Sequence, residues 1–297
     1  MEIKDKKIEG AEKTGDILIL GGNRFVGKLI AEELKSCHFN VTVFNRKGTG
    51  PKGCNIIKGD RNNSEDLANI PWENFIVIID MCLYKPEQFK LTEIHISPHI
   101  PYIFISSGAA YKDPKIWPVD EDSELSGMKA FGDYGKEKAE VEILIQNSTH
   151  TEKYWILRPT YIVGKGNHNP RLGHYISKIQ NGENIEIAGD GENIINLVFA
   201  EDIIGVIMMM LLSYPKETKI YNMCNSEFLT VNSLINIIAD ELGVDKVKKT
   251  YNSDKAIFPY VNYGIFSNEK IKKDYNGNFS TLEENLPEYI RWYNSKK

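Results

Sequence analysis

The side chains best suited to proton chemistry in this chain are one serine and a tyrosine–lysine pair. Tyr134 and Lys138 are four positions apart, so a helix would place both on one face. A phenol with its ordinary pKa near 10 is a poor base at neutral pH, and lowering that pKa by about three units requires roughly 4 kcal/mol in favour of the phenolate. The ammonium of Lys138 would supply part of this, and the Ser107 hydroxyl would bind a carbonyl oxygen. The three residues are predicted to be catalytic, although the spacing also fits an exposed tyrosine beside a solvated lysine.

Residues 16–34 form the element that would bring a cofactor to this group. An apolar run over 17–20 suits one buried strand, and glycines follow at 21, 22 and 27. Apolar residues then recur at helical spacing up to Leu34. Strand, glycine turn and helix in this order are typical of dinucleotide binding, because the backbone approaches the pyrophosphate at the open end of the helix. A nicotinamide cofactor would exchange hydride with the carbon that carries the hydroxyl, and its positive charge would further lower the pKa of Tyr134.

The end of the next predicted strand, Val41–Phe44, indicates which dinucleotide to expect. A carboxylate at this place binds the 2′-hydroxyl of NAD, whereas an arginine suits the 2′-phosphate of NADP. Asn45 and Arg46 follow the strand here, and Arg24 lies inside the glycine turn. Two guanidinium groups on one phosphate would form a strong charge-assisted site. NADP is therefore predicted in preference to NAD, although two solvated surface arginines would give the same pattern.

Short apolar runs that alternate with helical segments indicate the fold class. Strands are predicted at 17–20, 41–44, 55–58, 75–80, 102–106, 154–157 and 220–224. Strands that recur with helices between them predict right-handed crossovers and an α/β fold with a doubly wound parallel sheet. The predicted domains are a flexible leader over 1–15, a dinucleotide-binding core over 16–165 to which 196–225 return, and a smaller substrate lobe made of 166–195 and 226–297.

Composition and charge restrict the class of protein further. A chain of 297 residues can bury a large core, and its net charge of −5 argues against a protein that grips nucleic acid by its phosphates. The four cysteines are scattered without a C-x-x-C pair, which fits reduced cytoplasmic thiols better than disulfides or zinc. No apolar run approaches the roughly 18 residues of a membrane span. We expect a cytoplasmic monomer or homodimer that binds a small-molecule substrate, with no metal, nucleic acid or membrane partner.

Several motifs resemble the extended short-chain dehydrogenases/reductases, also called the NAD-dependent epimerase/dehydratase family. They are GGNRFVG at 21–27, GDR at 59–61, SSGAAY at 106–111, YGKEK at 134–138, LRPTYIVG at 157–164 and GDGENIINLVFAEDI at 189–203. The resemblance implies a Rossmann core, a C-terminal substrate lobe and an NAD(P)-dependent enzyme. VFNR, GDR and the DMCLYKP segment at 80–86 look most like an atypical branch that includes the chloroplast stem-loop-binding proteins.

The resemblance also implies which residues line the site. Cofactor-binding residues would be Gly21, Gly22, Asn23, Arg24, Phe25, Val26, Gly27, Asn45, Arg46, Asp60, Arg61, Met81, Cys82, Ser106, Lys138, Pro159 and Tyr161. Residues near the substrate would be Tyr84, Gly108, Ala109, Arg171 and His174. Asp60 is expected to accept a hydrogen bond from the adenine amino group, or else to cap the helix over 64–68. Arg171 is expected to clamp an anionic group or to be an ordinary loop charge.

Three departures from the family pattern bear on function. Arg24 replaces the middle glycine of the turn, as in NADP-using relatives, and DMC at 80–82 alters the wall of the nicotinamide pocket. Ile194 and Ile195 stand where many sugar-nucleotide enzymes carry a phosphate-binding arginine. The 86–101 connection is too short for the long helix that commonly builds the family dimer.

The sequence therefore predicts an NADP(H)-dependent oxidoreductase that interconverts a secondary alcohol and a ketone on a sugar or sugar-like metabolite. A sugar or nucleotide-sugar epimerase or dehydratase with a tightly held cofactor would use the same three catalytic residues, so this alternative stays open. A second alternative is a non-catalytic, RNA-associated or regulatory scaffold that keeps the fold. The net charge of −5 and the intact triad count against the scaffold.

Overall fold

The structure is a computed structural model that describes residues 16–168, 170–213, 217–260, 265–275 and 277–296. The leader predicted over 1–15 lies outside the described residues. The strands, in chain order, are β1 (Asp16–Leu20), β2 (Val41–Asn45), β3 (Asn55–Lys58), β4 (Phe75–Asp80), β5 (Tyr102–Ile105), β6 (Tyr154–Pro159), β7 (Tyr161–Val163), β8 (Ile185–Glu186), β9 (Ile194–Ile195), β10 (Leu197–Phe199), β11 (Lys219–Met223), β12 (Leu229–Thr230) and β13 (Lys249–Thr250). The helices are α1 (Phe25–Ser36), α2 (Ser64–Ala68), α3 (Pro86–Glu93), α4 (Gly132–Asn147), α5 (Arg171–Gln180), α6 (Ala200–Ser213), α7 (Val231–Glu241), α8 (Glu269–Asp274) and α9 (Leu282–Asn294).

One sheet of seven strands organises the fold, in the order β3–β2–β1–β4–β5–β6–β11. Every pairing within it is parallel, so all the carboxyl ends lie at one edge. The strand order reverses between β1 and β4, which creates the crevice where open α/β sheets bind ligands. The predicted Rossmann-type, doubly wound parallel sheet is confirmed.

Alternation along the strands divides the apolar residues between the two faces of the sheet. Ile17 and Ile19 of β1 belong to a cluster with residues of α1 and α6, whereas Leu18 and Leu20 belong to a cluster with residues of α3 and α4. All four of these side chains are fully buried. A strand buried on both faces reads as a continuous apolar run, which is why β1 was recognisable in the sequence.

A second group of elements packs around its own apolar cluster. This cluster includes residues of α5, α7 and α9. Three short two-stranded sheets pair β7 with β10, β8 with β13 and β9 with β12. None of the described helices combines the length and the apolar character that crossing a membrane requires.

Several boundaries differ from those predicted. The strand predicted to stop before Arg158-Pro159 continues through both residues, because Pro159 needs no backbone donor at the last position of β6. The predicted cap at Asp60 is wrong, since the Asn63 side chain accepts hydrogen bonds from the backbone N–H groups of Glu65 and Asp66. Helix α3 has only the eight residues Pro86–Glu93, in keeping with the short connection noted in the sequence.

Candidate functional site

The glycine turn brings the start of α1 close to the carboxyl end of β1. Gly21 has a φ of +93°, and a Cβ atom there would lie 2.9 Å from the Cys82 sulfur. A Cβ at Gly27 would lie 3.0 Å from the Gly21 carbonyl oxygen, so neither position accepts a larger residue without a shift. No side chain caps α1, and no acidic residue lies in its first turn. The first N–H groups of α1 are therefore available to an anion.

A cavity of about 600 Å³ opens directly in front of this turn. Its walls come from the carboxyl ends of the central strands and from α4. They comprise Gly21, Asn23, Arg24, Phe25, Val26, Gly27, Phe44, Asn45, Arg46, Lys47, Gly59, Asp60, Arg61, Asn62, Met81, Cys82, Tyr84, Gln88, Ile105, Ser106, Tyr134, Lys138, Ile162 and His168. We call this space the cofactor cavity, because most of the predicted cofactor-binding residues line it.

Positive charge collects at the end of the cofactor cavity that follows β2. Arg24 and Arg46 are both exposed there, and neither forms an ion pair with a residue that the structure describes. Asp60 accepts hydrogen bonds from the backbone and side-chain nitrogens of Asn62 at 3.0 and 2.7 Å. These bonds, together with the charge of Arg46, lower the pKa of Asp60. This end of the cavity thus combines two unpaired guanidinium groups with one carboxylate.

A buried ion pair closes the floor of the cofactor cavity. Arg61 binds Asp80 through both terminal nitrogens, at 2.7 and 2.9 Å, and the Tyr102 hydroxyl donates to the same carboxylate at 2.6 Å. Burial raises the pKa of Tyr102 well above its ordinary value, which keeps this hydroxyl a donor. The guanidinium predicted to bind cofactor is therefore already held by Asp80, and Arg61 contributes to the floor instead.

Lys138 lies almost completely buried at the inner wall of the cofactor cavity. Its ammonium donates to the backbone carbonyl oxygens of Leu83 and Ile105, at 2.8 and 3.0 Å. The nitrogen also lies 5.0 Å from the centre of the Tyr84 ring and 6.0 Å from that of Tyr134. Burial, which the nearby carboxylates only partly offset, lowers the pKa of Lys138 to about 8. An ammonium has three donors, so the two carbonyl contacts leave one for a ligand.

Tyr134 lies at the boundary of two cavities, and 40% of its surface is exposed. Burial raises the pKa of its phenol, while a hydrogen bond with the Ser107 side chain and the positive charge of Arg171 oppose that rise. The expectation that Lys138 lowers this pKa is not met in the protein alone, because Lys138 is directed at two carbonyl groups. The phenol is therefore protonated at neutral pH and suited to donate a proton.

The second cavity, of about 550 Å³, lies on the other side of Tyr134. Phe25, Tyr84, Tyr134, Ile162 and His168 are common to both cavities. The remaining walls are Ser107, Gly108, Ala109, Met128, Phe131, Pro159, Thr160, Tyr161, Asn167, Arg171, Ile194, Asn196 and Phe266. We call this space the substrate cavity, since it contains Ser107 and four of the five residues predicted near the substrate.

Four predicted residues lie elsewhere than expected. Pro159 and Tyr161, predicted to bind cofactor, line the substrate cavity instead, because β6 continues past the edge of the first cavity. Gly22 lines neither cavity; a Cβ there would meet Ile19 of the core at 2.8 Å. His174 also lies outside both, with its ring packed edge-on against Tyr175.

The structure also adds residues that the sequence did not reveal. Lys47 follows Arg46 directly and could have been found by that adjacency. Gln88 lines the cofactor cavity while its side-chain oxygen accepts from the backbone N–H of Tyr84 at 2.9 Å, a role without a sequence signal. His168, by contrast, lies in the polar loop after β7, which the sequence predicts to face the substrate, and it reaches both cavities.

The fold defines the class of protein, a Rossmann-type α/β protein with ligand-sized cavities at the carboxyl edge of its sheet. Residues 90–224 match the model of the NAD dependent epimerase/dehydratase family. This match covers less than half of the chain. The resemblance predicted from the motifs is confirmed. This similarity supports an NAD(P)-dependent enzyme in general terms.

The relatives of this chain include a protein named for stem-loop binding and a protein named as an epimerase. The chain is 23% identical over 282 residues to the chloroplast stem-loop binding protein of 41 kDa b of Arabidopsis thaliana, covering 86% of this chain and 73% of that protein. It is 24% identical over 256 residues to a putative UDP-glucose 4-epimerase of Methanocaldococcus jannaschii, covering 76% and 82%.

Solved structures of two epimerases share the fold. The UDP-glucose 4-epimerase of Thermotoga maritima, solved with UDP-glucose, has a TM-score of 0.80 at 18% identity, covering 95% of this chain and 99% of that one. The Thermus thermophilus UDP-glucose 4-epimerase, in complex with NAD, has a TM-score of 0.77 at 15% identity, covering 95% and 100%. At such identities these structures are evidence for the fold alone.

Proposed function

We propose that the protein is an NADP(H)-dependent oxidoreductase that interconverts a ketone and a secondary alcohol on a sugar-like metabolite. The observation that carries this proposal is the position of Tyr134, whose side chain lines both the cofactor cavity and the substrate cavity. The phenol of Tyr134 therefore lies where a cofactor in the first cavity and a substrate in the second would meet to exchange hydride. A nicotinamide cofactor bound in the first cavity would supply or accept the hydride.

The three predicted catalytic residues would then act as follows. Tyr134 donates its phenolic proton to the carbonyl oxygen during reduction, and takes a proton from the alcohol in the reverse direction. Ser107, which hydrogen-bonds Tyr134, holds the same oxygen. Lys138 uses its remaining donor on the ribose next to the nicotinamide. Since burial raises the pKa of Tyr134, the phenol carries its proton at neutral pH and can donate it to a ketone.

The two unpaired arginines support NADP as the cofactor. Arg24 and Arg46 line the end of the cofactor cavity where an adenosine ribose would lie, and no carboxylate follows β2 to bind a free 2′-hydroxyl. Asn45 occupies that place, and its side chain is held by the loop, donating to the Thr49 carbonyl oxygen at 2.7 Å. Two guanidinium groups there favour a 2′-phosphate.

NADPH is expected to bind more tightly than NADH by a factor on the order of a hundred, at about 1.5 kcal/mol for each of two hydrogen bonds to a charged group. Separate fluorescence titrations of the two nucleotides measure the ratio. The double variant Arg24→Ala with Arg46→Ala is expected to bind NADPH and NADH with equal affinity. Lys52→Ala provides a control, because Lys52 is an exposed cation nearby that lines neither cavity. Equal affinities in the parent protein would refute the argument from the 2′-phosphate.

Cofactor affinity is expected to fall as the pH rises through about 8, the pKa to which burial lowers Lys138. Below that pH the ammonium is charged and can donate to the ribose; above it the neutral amine has lost a donor and its charge. NADPH titrations from about pH 6 to about pH 10 would show the transition. The Lys138→Met variant is expected to bind NADPH weakly at every pH, with no change in affinity near pH 8. A parent affinity that stays constant across pH 8 would contradict the role of Lys138.

The second candidate is an epimerase that oxidises and re-reduces one carbon with a cofactor it keeps bound. It is favoured by the similarity to a putative UDP-glucose 4-epimerase and by the epimerase folds described above. Against a nucleotide-sugar substrate, Ile195 is buried in the core of the second lobe, so no cation is available at this position for a diphosphate. Nicotinamide that co-purifies with the protein and supports turnover without addition would favour the epimerase.

A scaffold function is a further reading of the similarity to a stem-loop binding protein. Two cavities that meet at Tyr134, in a chain with a net charge of −5, fit a small-molecule enzyme better. Full cellular function in a Tyr134→Phe variant would support the scaffold instead.

A further inference from the structure

Arg171 is the cation of the substrate cavity, and aromatic rings hold it in place. It is the first residue of α5 and lies half-buried in the cavity wall. Its guanidinium carbon lies 4.9 Å from the centre of the Tyr161 ring and 5.7 Å from that of Phe258. A planar guanidinium stacked on aromatic faces keeps its N–H groups free at the edge.

The charge of Arg171 has no counterpart among the residues that the structure describes. None of the described residues that line the substrate cavity is an aspartate or a glutamate. Arg171 also forms no ion pair with any residue for which the structure gives a position. A partly desolvated cation without a partner is unfavourable unless a ligand supplies the opposite charge. Acidic residues outnumber lysines and arginines in this chain, whose net charge is −5, yet none of those described pairs with Arg171.

The amount of charge limits the kind of anion. Arg171 is the only lysine or arginine among the described residues of the cavity wall, and the one further group able to become cationic there is the exposed His168. Ile194, which also lines the cavity, and the buried Ile195 beside it provide no additional charge. A single guanidinium matches a monoanion, and its planar pair of donors matches the two oxygens of a carboxylate.

We propose that the substrate carries a carboxylate group and that Arg171 binds it, so that the reaction is the interconversion of a hydroxy acid and a keto acid. This inference rests on the proposed function in taking the second cavity as the substrate site. It also bears on the proton step: the charge of Arg171 opposes the rise in the pKa of Tyr134, and a bound carboxylate would cancel that effect. The phenol would then hold its proton more firmly once substrate is bound.

The test measures binding of matched acids and neutral counterparts to the full chain by calorimetry, with and without NADPH. The probes are glucuronate against glucose and gluconate against glucitol, with glucose 6-phosphate as a dianion. We expect the acid of at least one pair to bind about tenfold more tightly than its neutral counterpart, as one charge-assisted interaction provides. Arg171→Gln is expected to abolish this preference, and Arg171→Lys, which keeps the charge but not the planar fork, to retain part of it.

Arg291→Gln is the matched control, because Arg291 lies exposed on α9 and lines neither cavity. No acid preference in either pair, or an acid preference that survives in Arg171→Gln, would overturn the proposal. Tighter binding of glucose 6-phosphate than of both acids would assign the site to a phosphate and overturn the carboxylate. If the protein prefers acids but does not bind NADPH, the role of Arg171 stands and the proposed function is rejected. If the protein reduces neutral ketones with NADPH but shows no preference for acids, the proposed function stands and the carboxylate proposal is rejected.

Discussion

Replacing Tyr134 with phenylalanine is expected to lower kcat by about two to four orders of magnitude, the usual contribution of a positioned proton donor. The ring would remain between the two cavities, so the affinity for NADPH is expected to change little. The measurement combines NADPH oxidation, with dihydroxyacetone and fructose as ketone probes, and a separate NADPH titration. A fall in kcat with an unchanged dissociation constant would identify the hydroxyl as the catalytic group.

Tyr251→Phe is a suitable control for this variant. Its ring is 43% exposed, close to the 40% of Tyr134, and its hydroxyl also makes a hydrogen bond, to Asn232 at 3.2 Å. It lines neither cavity. Loss of this hydroxyl is expected to leave kcat unchanged. Turnover by Tyr134→Phe at the parent rate would remove the phenol from the mechanism and leave the protein's catalytic role without a proton donor.

Replacing Glu142 with glutamine is expected to lower the free energy of unfolding by about 3–5 kcal/mol, the usual effect of removing one partner of a buried ion pair. Glu142 and Arg158 are 0% and 2% exposed, and the carboxylate accepts from Arg158 at 2.7 and 2.9 Å. The Ser106 hydroxyl also donates to Glu142, and the Tyr111 hydroxyl accepts from Arg158 at 2.7 Å. Removing the charge would leave the guanidinium buried without its counter-ion.

Urea denaturation of the parent and variant measures this effect. Glu140→Gln on the same helix is the control, because Glu140 pairs with Lys136 at the surface and such pairs contribute about 1 kcal/mol or less. Equal losses in the two variants would contradict the importance of the buried pair. Tyr134, Lys138 and Glu142 follow one another at four-residue spacing on one face of α4, so the pair with Arg158 also anchors the helix that carries two of the proposed catalytic residues.

The elements of the fold were largely predictable because their signals are local. The apolar run of β1 and the glycines after it specify a strand and a turn without reference to distant residues. The order of motifs also predicted that Ser107 and Tyr134 would meet, since both follow strands whose carboxyl ends share one edge of the sheet. Strands and turns that are specified by neighbouring residues can therefore be predicted from the sequence alone.

The partners of charged groups were not predictable, since they depend on residues far apart in the chain. Lys138 binds the carbonyl oxygen of Leu83, 55 positions away, and Arg61 binds Asp80, 19 positions away. Backbone carbonyl groups leave no sequence signal, and an arginine looks the same whether it faces a ligand or a buried aspartate. Phe25 is a similar case, because its positive φ of 40° follows from the packing of the turn and not from its residue type.

The wall common to the two cavities makes their occupants thermodynamically dependent on each other. Phe25, Tyr84 and Ile162 face both spaces, so any adjustment of these side chains to one occupant changes the surface offered to the other. If a nucleotide and an acid occupy the two cavities as proposed, the factor by which the nucleotide alters the affinity for the acid must by linkage equal the factor by which the acid alters the affinity for the nucleotide. The cell's supply of either compound would therefore regulate how much of the other the protein retains.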